Sequence, residues 1–205
     1  MLERARLYAI TPDLEPDQLT ALVAAALRGG ADVVQLRHRT MPRGRLLDLA
    51  RSLGETVHMA GAVFIVNDHL DIALLAGADG VHLGQTDLPI TEARRIAGAD
   101  FIIGASAASP AAARVAAGAG ADYIGAGPAY ATAVKPDKPV IGPEGIADVA
   151  AAVSIPVFAI GGITTGNVAD LVAAGVGRAC VINGLARSAD PERAARDLKQ
   201  ALLRG

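Results

Sequence analysis

The chain is poor in aromatics, cysteine and net charge. Tryptophan is absent, and three phenylalanines and three tyrosines make up only 3% of 205 residues. A core of this size must then be built from Ala, Val, Leu and Ile, and the 52% hydrophobic fraction supplies them. Such a core suits parallel strands buried beneath Ala-rich helices. The one cysteine, Cys180, excludes an intramolecular disulfide; within the apolar run Ala179 to Ile182 it reads as a small buried hydrophobe. A formal net charge of -2 offers no cationic surface to nucleic acid or to an anionic membrane. No apolar stretch approaches the roughly 18 residues of a membrane span, and no signal-peptide segment follows the first residues. The expectation is a soluble cytoplasmic protein with one domain over 1–205, acting on small molecules, with self-association left open.

What the chain does have is a strict alternation of short apolar runs and helical patterns. The runs Leu7–Ile10, Val33–Arg37, Val63–Val66, Gly80–Leu83, Phe101–Ile103, Tyr123–Ala126, Val157–Ile160 and Ala179–Ile182 read as strands. Between and after them, Leu19–Leu27, Leu46–Met59, Leu70–Ala76, Ile90–Ala97, Pro110–Ala117, Pro143–Val153, Val168–Ala174 and Pro191–Leu203 read as helices, the last with Asp190 as N-cap. Eight such units predict a closed (β/α)8 barrel. Gly30-Ala31-Asp32, Gly77-Ala78-Asp79, Gly98-Ala99-Asp100 and Gly120-Ala121-Asp122 each fall between a helix end and the next strand, as C-cap turns would.

In such a barrel the chemistry lies at the C-terminal ends of the strands. Asn67-Asp68 follows the third strand and Gln85 to Asp87 follows the fourth, so Asp68 and Asp87 fall on the same face of the sheet. That is an oxygen-rich pair suited to Mg2+ and a phosphorylated substrate. The plainer reading makes both aspartates N-caps of the helices that follow. Gln35, Arg37 and, beyond the strand, Arg39 recur at every second position and aim cations at the barrel mouth, as an anion such as pyrophosphate would require. The plainer alternative is a buried Arg paired with Asp68 or another carboxylate. Gly161-Gly162 after strand seven and Asn183-Gly184 after strand eight mark the usual phosphate turns of such barrels. The long segment from Gly127 to Gly142, with Thr132 and Lys135, reads as a stiff surface loop or as a lid. Ser106 follows strand five. His82 reads as a satisfied core residue, and no His or Cys pair has transition-metal spacing.

Taken in order, these motifs resemble the thiamine phosphate synthase family along nearly the whole chain. The marks are Tyr8-Ala9-Ile10-Thr11, Gln35-Leu36-Arg37, Val66-Asn67-Asp68, Ala78 to Asp87, Gly104-Ala105-Ser106, Asp122 to Pro128, Thr132 with Lys135-Pro136, and Ala159 to Ile163. The resemblance implies Mg2+-dependent joining of hydroxymethylpyrimidine diphosphate to thiazole phosphate, with release of pyrophosphate. It implies Asp68 and Asp87 as metal ligands, and Arg37 and Lys135 as catalytic cations. Gln35, Arg39, Asn67 and Ser106 would join them on the pyrimidine diphosphate, with Thr132, Val134, Gly162, Ile182 and Asn183 on the thiazole phosphate. Four positions depart from the family pattern. Arg39 stands for Lys, Val134 for the second Thr of Thr-x-Thr-Lys, Asn183 for Ser, and Ala108 where a His is common. The related thiazole tautomerase relies on a His at the place of Ala108. A non-catalytic binder of the same phosphates would not need the carboxylate pair, and a barrel isomerase or epimerase would need an acid/base pair that is not apparent.

Overall fold

Alternation along eight short strands decides which side chains fill the barrel and which meet the helices. The computed structural model describes residues 2–132 and 139–205. Strands β1 (Leu7–Ile10), β2 (Val33–Leu36), β3 (Val63–Asn67), β4 (Gly80–Leu83), β5 (Ile102–Ala107), β6 (Tyr123–Ala126), β7 (Val157–Ile160) and β8 (Ala179–Val181) pair in sequence order, all parallel. Pairing of β1 with β8, Tyr8 opposite Cys180, closes the barrel. The expected (β/α)8 barrel is therefore the fold.

Side chains of Tyr8, Ile10, Val33, Val63, Ile65, Tyr123, Phe158 and Cys180 form the interior cluster, closed below by Leu2 and Ala5. Their neighbours in sequence, among them Leu7, Val34, Leu36, Phe64, Val66, Ile103 and Val181, face outward and pack under the helices. This is the period-two pattern of a sheet buried on both faces. Half of the aromatics thus lie inside the barrel. Tyr8 and Tyr123 stand edge-on to Phe158 at 5.5 and 5.8 Å between ring centroids, each pair adding about 0.5–1.5 kcal/mol beyond burial. The aliphatic core expected from composition holds beneath the helices apart from Phe64, and gives way in the barrel centre.

The outer ring is α1 (Pro16–Arg28), α2 (Arg43–Met59), α3 (Leu70–Leu75), α4 (Ile90–Ala97), α5 (Pro110–Gly118), α6 (Gly142–Ala151), α7 (Val168–Ala173), a single turn α8 (Asn183–Ala186), and α9 (Pro191–Leu202), capped as expected by Asp190, whose Oδ1 accepts from the Arg193 N–H. The turn α8 and a 3-10 turn at Leu2–Arg4 were not expected from the sequence. Among the described residues no helix is long and apolar enough to cross a membrane.

The Gly-Ala-Asp turns do two jobs. At Gly30 (φ 95°) the Gly N–H reaches Leu27 O and the Ala31 N–H reaches Ala26 O, the Schellman arrangement that ends α1. Asp32 then accepts the N–H groups of Arg6 and Leu7 at the start of β1 and pairs with Lys199. The turns at Gly77 and Gly120 repeat both bonds, with Asp79 and Asp122 accepting from Phe64 and Ile103 at 2.7 Å. Gly98 departs from this: it is itself the C-cap residue of α4, its N–H reaching Arg94 O and its carbonyl accepting from Arg94 Nη1, without the pair of turn bonds found at the other three.

Candidate active site

The strand ends open into one cavity of about 1010 Å3 at the C-terminal face. Its walls include Gln35, Arg37, Arg39, Asn67, Asp68, Asp87, Ser106, Thr132, Gly162, Ile182 and Asn183. Every candidate within the described residues therefore shares one space, although the sequence separates them by up to 148 positions (35 to 183). Val134 and Lys135 lie outside the described residues.

The wall beside β2 and β3 carries the charge. Gln35 is 2% exposed on the inner face of β2 and donates through Nε2 to the Tyr8 hydroxyl at 2.7 Å. The strand ends at Leu36, one residue earlier than expected, and the next residue is Arg37. Its N–H and C=O are both held by the buried Thr11 hydroxyl, at 2.8 and 3.0 Å. Burial and then the neighbouring Arg39 charge lower the pKa of the half-buried Arg37, while Asp13 and Asp68 oppose that shift. Arg39 lies on the exposed rim and is tied to Asp13: its backbone N–H meets Oδ1 and its Nε meets Oδ2, each at 2.8 Å. Partial burial raises the Asp13 pKa, but bonds and charge from Arg39 outweigh this and hold it below the ordinary range.

Neither aspartate is an N-cap. The N-cap of α3 is His69 and that of α4 is Pro89, and neither makes a side-chain cap bond. Asp68 instead occupies φ 62°, between an Asn67 carbonyl and a His69 N–H joined at 2.7 Å, and its own N–H bonds His82 O at 2.8 Å. A residue with a side chain at the centre of such a three-residue turn is uncommon and strained, as at sites where geometry serves function. Asp87 accepts the Gly84 N–H through Oδ2 at 2.6 Å. Asp68 and Asp87 line the same cavity, as do Asn67 and Gln85. Among the described residues no group of three or more His, Cys, Asp or Glu side chains could hold a metal ion. A carboxylate pair with amide oxygens is still a fitting donor set for Mg2+, which keeps waters and takes its remaining ligands from substrate phosphates.

On the opposite wall, Gly161 and Gly162 both have positive φ, 106° and 66°. Cβ atoms there would collide with Pro128 and with the Tyr130 and Ala131 segment. Asn167 fastens this turn, accepting from Thr164 N at 2.8 Å and donating to Gly162 O at 2.9 Å. Tyr130 locks Asn167 in turn with a 2.9 Å bond to its carbonyl. The N–H groups of Asn183 and Gly184 open the one-turn α8 and have no partner inside it.

Ser106 sits within β5, not after a strand stopped by Gly104. Gly104 continues the strand because a Cβ there would lie 2.0 Å from the Tyr123 ring. His82 is half-buried, lines the cavity, and lies 3.0 Å from Ser106 Oγ through Nε2 and 3.1 Å from the Tyr123 hydroxyl through Nδ1. It is hydrogen-bonded, as a core histidine would be, yet it belongs to the site. The strand ends do not mark Tyr8 and the rim residue Arg187, which also line the cavity, or Thr11 and Tyr123, which bond to residues that do. Glycines inside β5 and β6, which signal close approach, could have pointed to the tyrosine.

A family model described as thiamine monophosphate synthase matches residues 7–185. The chain is 50% identical over 184 residues to the thiamine-phosphate synthase of Methanoculleus marisnigri, covering 89% of this chain and 87% of the relative. It is 47% identical to that of Chlorobium limicola, over 86% and 85% of the two chains. The solved structure of a thiamine phosphate pyrophosphorylase from Pyrococcus furiosus superposes with a TM-score of 0.90 at 35% identity, over 99% of this chain and 98% of that one.

Proposed function

The chain belongs to the thiamine monophosphate synthase family, and we propose that it is a transferase joining hydroxymethylpyrimidine diphosphate to thiazole phosphate, releasing pyrophosphate. The observation that supports this most is the division of one cavity. Cations, carboxylates and amides stand on the β2–β4 side, and two glycine-lined turns stand on the β7–β8 side. That arrangement suits two phosphorylated substrates entering from opposite walls. The related tautomerase is not favoured, because the relatives carry synthase names and Ala108 stands where a His would be needed.

In this reading the bond between the pyrimidine methylene carbon and the diphosphate oxygen breaks, and a bond to the thiazole nitrogen forms. Arg37 supplies fixed positive charge to the departing oxygens, with Arg39 at the rim, and Lys135 is the second cation assigned to them. Asp68 and Asp87 would hold Mg2+, which would supply charge to neutralise the leaving pyrophosphate. Gln35, Asn67 and Ser106 orient the pyrimidine half. Thr132, Val134, Gly162, Ile182 and Asn183 flank the thiazole phosphate, the backbone N–H groups at Gly162 and Asn183 acting as donors. The attacking nitrogen carries no proton, so no general base is required. Incubation of the purified protein with both substrates and Mg2+, read by mass spectrometry, tests the proposal. Thiamine phosphate that vanishes with a chelator is expected; substrates recovered unchanged would reject it.

A further inference from the structure

Five polar side chains form a continuous line across the barrel at the floor of the cavity, which all of them but Tyr123 line. Gln35 Nε2 donates to the Tyr8 hydroxyl at 2.7 Å, and the Tyr8 and Tyr123 hydroxyls lie 2.8 Å apart. The Tyr123 hydroxyl is 3.1 Å from His82 Nδ1, and His82 Nε2 is 3.0 Å from Ser106 Oγ. The residues come from β2, β1, β6, β4 and β5, so the line spans more than half of the barrel. Phenylalanine at positions 8 and 123 would fill the same volume without burying two hydroxyls, so the hydroxyls call for a reason beyond packing.

The line has a direction. An amide N–H can only donate, so the Tyr8 oxygen accepts from Gln35 and its single hydrogen passes to Tyr123. Tyr123 then gives its hydrogen to His82 Nδ1. A neutral imidazole that accepts at Nδ1 carries its hydrogen on Nε2, and donates it to Ser106. The Ser106 hydroxyl, already accepting, turns its own hydrogen to the cavity it lines. We propose that Tyr8 and Tyr123 are positioning residues, passing the orientation fixed at Gln35 through His82 so that Ser106 always presents a donor to an acceptor atom, a ring nitrogen of the aminopyrimidine. The ligand half of this inference rests on the function proposed above.

Several features hold the line in place. Both phenols are fully buried, and burial is the main cause that pushes their pKa values above the ordinary tyrosine range, so neither loses its hydrogen at working pH. Their rings are braced edge-on by Phe158. Two strand glycines make room for members of the line: a Cβ at Gly104 would overlap the Tyr123 ring, and one at Gly125 would press on His82 Cε1 at 3.2 Å.

Two measurements decide it. Nitrogen-15 NMR of protein labelled at its four histidines needs no substrate, and the His82 signal is assigned by its loss in His82→Gln. The expected state is hydrogen on Nε2 and none on Nδ1, with Tyr123→Phe giving a tautomer mixture; hydrogen on Nδ1 in the wild type would overturn the direction. Steady-state kinetics then compares the pyrimidine diphosphate with its two ring-CH analogues. Tyr123→Phe should raise KM for the pyrimidine diphosphate about tenfold, leave kcat within about threefold, and erase the preference for nitrogen over CH at one ring position. The thiazole phosphate KM should not move. An unchanged nitrogen preference, or an equal loss for both substrates, would make the tyrosines merely structural and overturn the proposal. No turnover by the wild type, with the Nε2–H tautomer present, would remove the pyrimidine assignment together with the proposed function while the direction of the line stands. If Tyr123→Phe does not fold, His82→Gln, whose amide can turn either way, removes the imidazole that carries the direction and is held to the same nitrogen-preference outcome, because Gln35 also bonds the Tyr123 hydroxyl and Tyr8→Phe would leave that contact in place.

Discussion

The Thr11 hydroxyl accepts the Arg37 N–H at 2.8 Å and donates to the Arg37 carbonyl at 3.0 Å, so one side chain after β1 fixes both backbone polar groups of a residue after β2. Thr11 is 2% exposed and cannot be replaced there by water without rearrangement. Thr11→Val keeps the shape and removes both bonds, which should cost about 1–3 kcal/mol of stability. It should also raise KM for the pyrimidine diphosphate, because Arg37 loses its fixed origin, while KM for the thiazole phosphate stays. Thr11→Ser should restore both properties. A Val variant that loses stability but keeps both KM values would show that Thr11 serves the fold alone.

Asp68 separates stability from function. At φ 62° a side chain costs about 1–3 kcal/mol unless the surroundings compel it, and glycine avoids that cost. Asp68→Gly should therefore stay within about 1 kcal/mol of the wild type, the extra unfolded-state freedom of glycine offsetting the relief. Asp68→Ala keeps the strain and should be the less stable of the two. Both should lose Mg2+-dependent turnover to the same degree. Thermal unfolding beside activity checks this, and an active Asp68→Gly would remove the carboxylate from the reaction.

The strand ends were legible in the sequence because period-two alternation and terminal polar clusters are local signals. Gln35, Asn67, Asp68 and Asp87 sit where those signals put them, lining one cavity. What local pattern could not give is who meets whom across the barrel. Gly104 reads as a strand stop until the Tyr123 ring, 19 positions later, explains why β5 runs through it. His82 reads as core because its partners, Tyr123 and Ser106, come from other strands. The N-cap reading of Asp68 and Asp87 came from residue type alone and failed, because one helix starts at the next residue but one and the other three residues later. The one-turn α8 is too short to carry a periodic signal. Nothing local marks Asp13, because its partner Arg39 reaches it from beyond β2, 26 residues away.

Asp87 has a second duty that complicates its removal. Its Oδ2 accepts the Gly84 N–H at 2.6 Å, so Asp87→Ala opens the turn after β4 as well as deleting a charge. Asp87→Asn keeps an acceptor for that N–H and halves the carboxylate pair's charge. The Asn variant should unfold close to the wild-type temperature, and the Ala variant lower, by about 1–2 kcal/mol for the lost bond. Both should lose Mg2+-dependent turnover, with Asn regaining a fraction at raised Mg2+. Full activity in Asp87→Asn at ordinary Mg2+ would set the metal assignment aside.

Gly104 and Tyr123 should behave as one unit in mutagenesis. A Cβ at position 104 would stand 2.0 Å from Tyr123 Cζ and 2.3 Å from its hydroxyl oxygen, far inside contact distance. The ring cannot tilt away freely, because Tyr8 and Phe158 pack on it at 5.8 Å and its hydroxyl bonds Tyr8 and His82. Overpacking at such a site costs about 1–3 kcal/mol or more, so Gly104→Ala should fall at or beyond the upper end. Tyr123→Leu alone opens a cavity and gives up the hydroxyl line. Combined with Gly104→Ala it makes room for the new methyl, so the double variant should be more stable than the sum of the singles by about 1 kcal/mol or more. Denaturant unfolding of the four proteins measures the coupling directly. Simple additivity would mean that the strand moves aside instead of the ring, and that Gly104 is not what keeps Tyr123 in place.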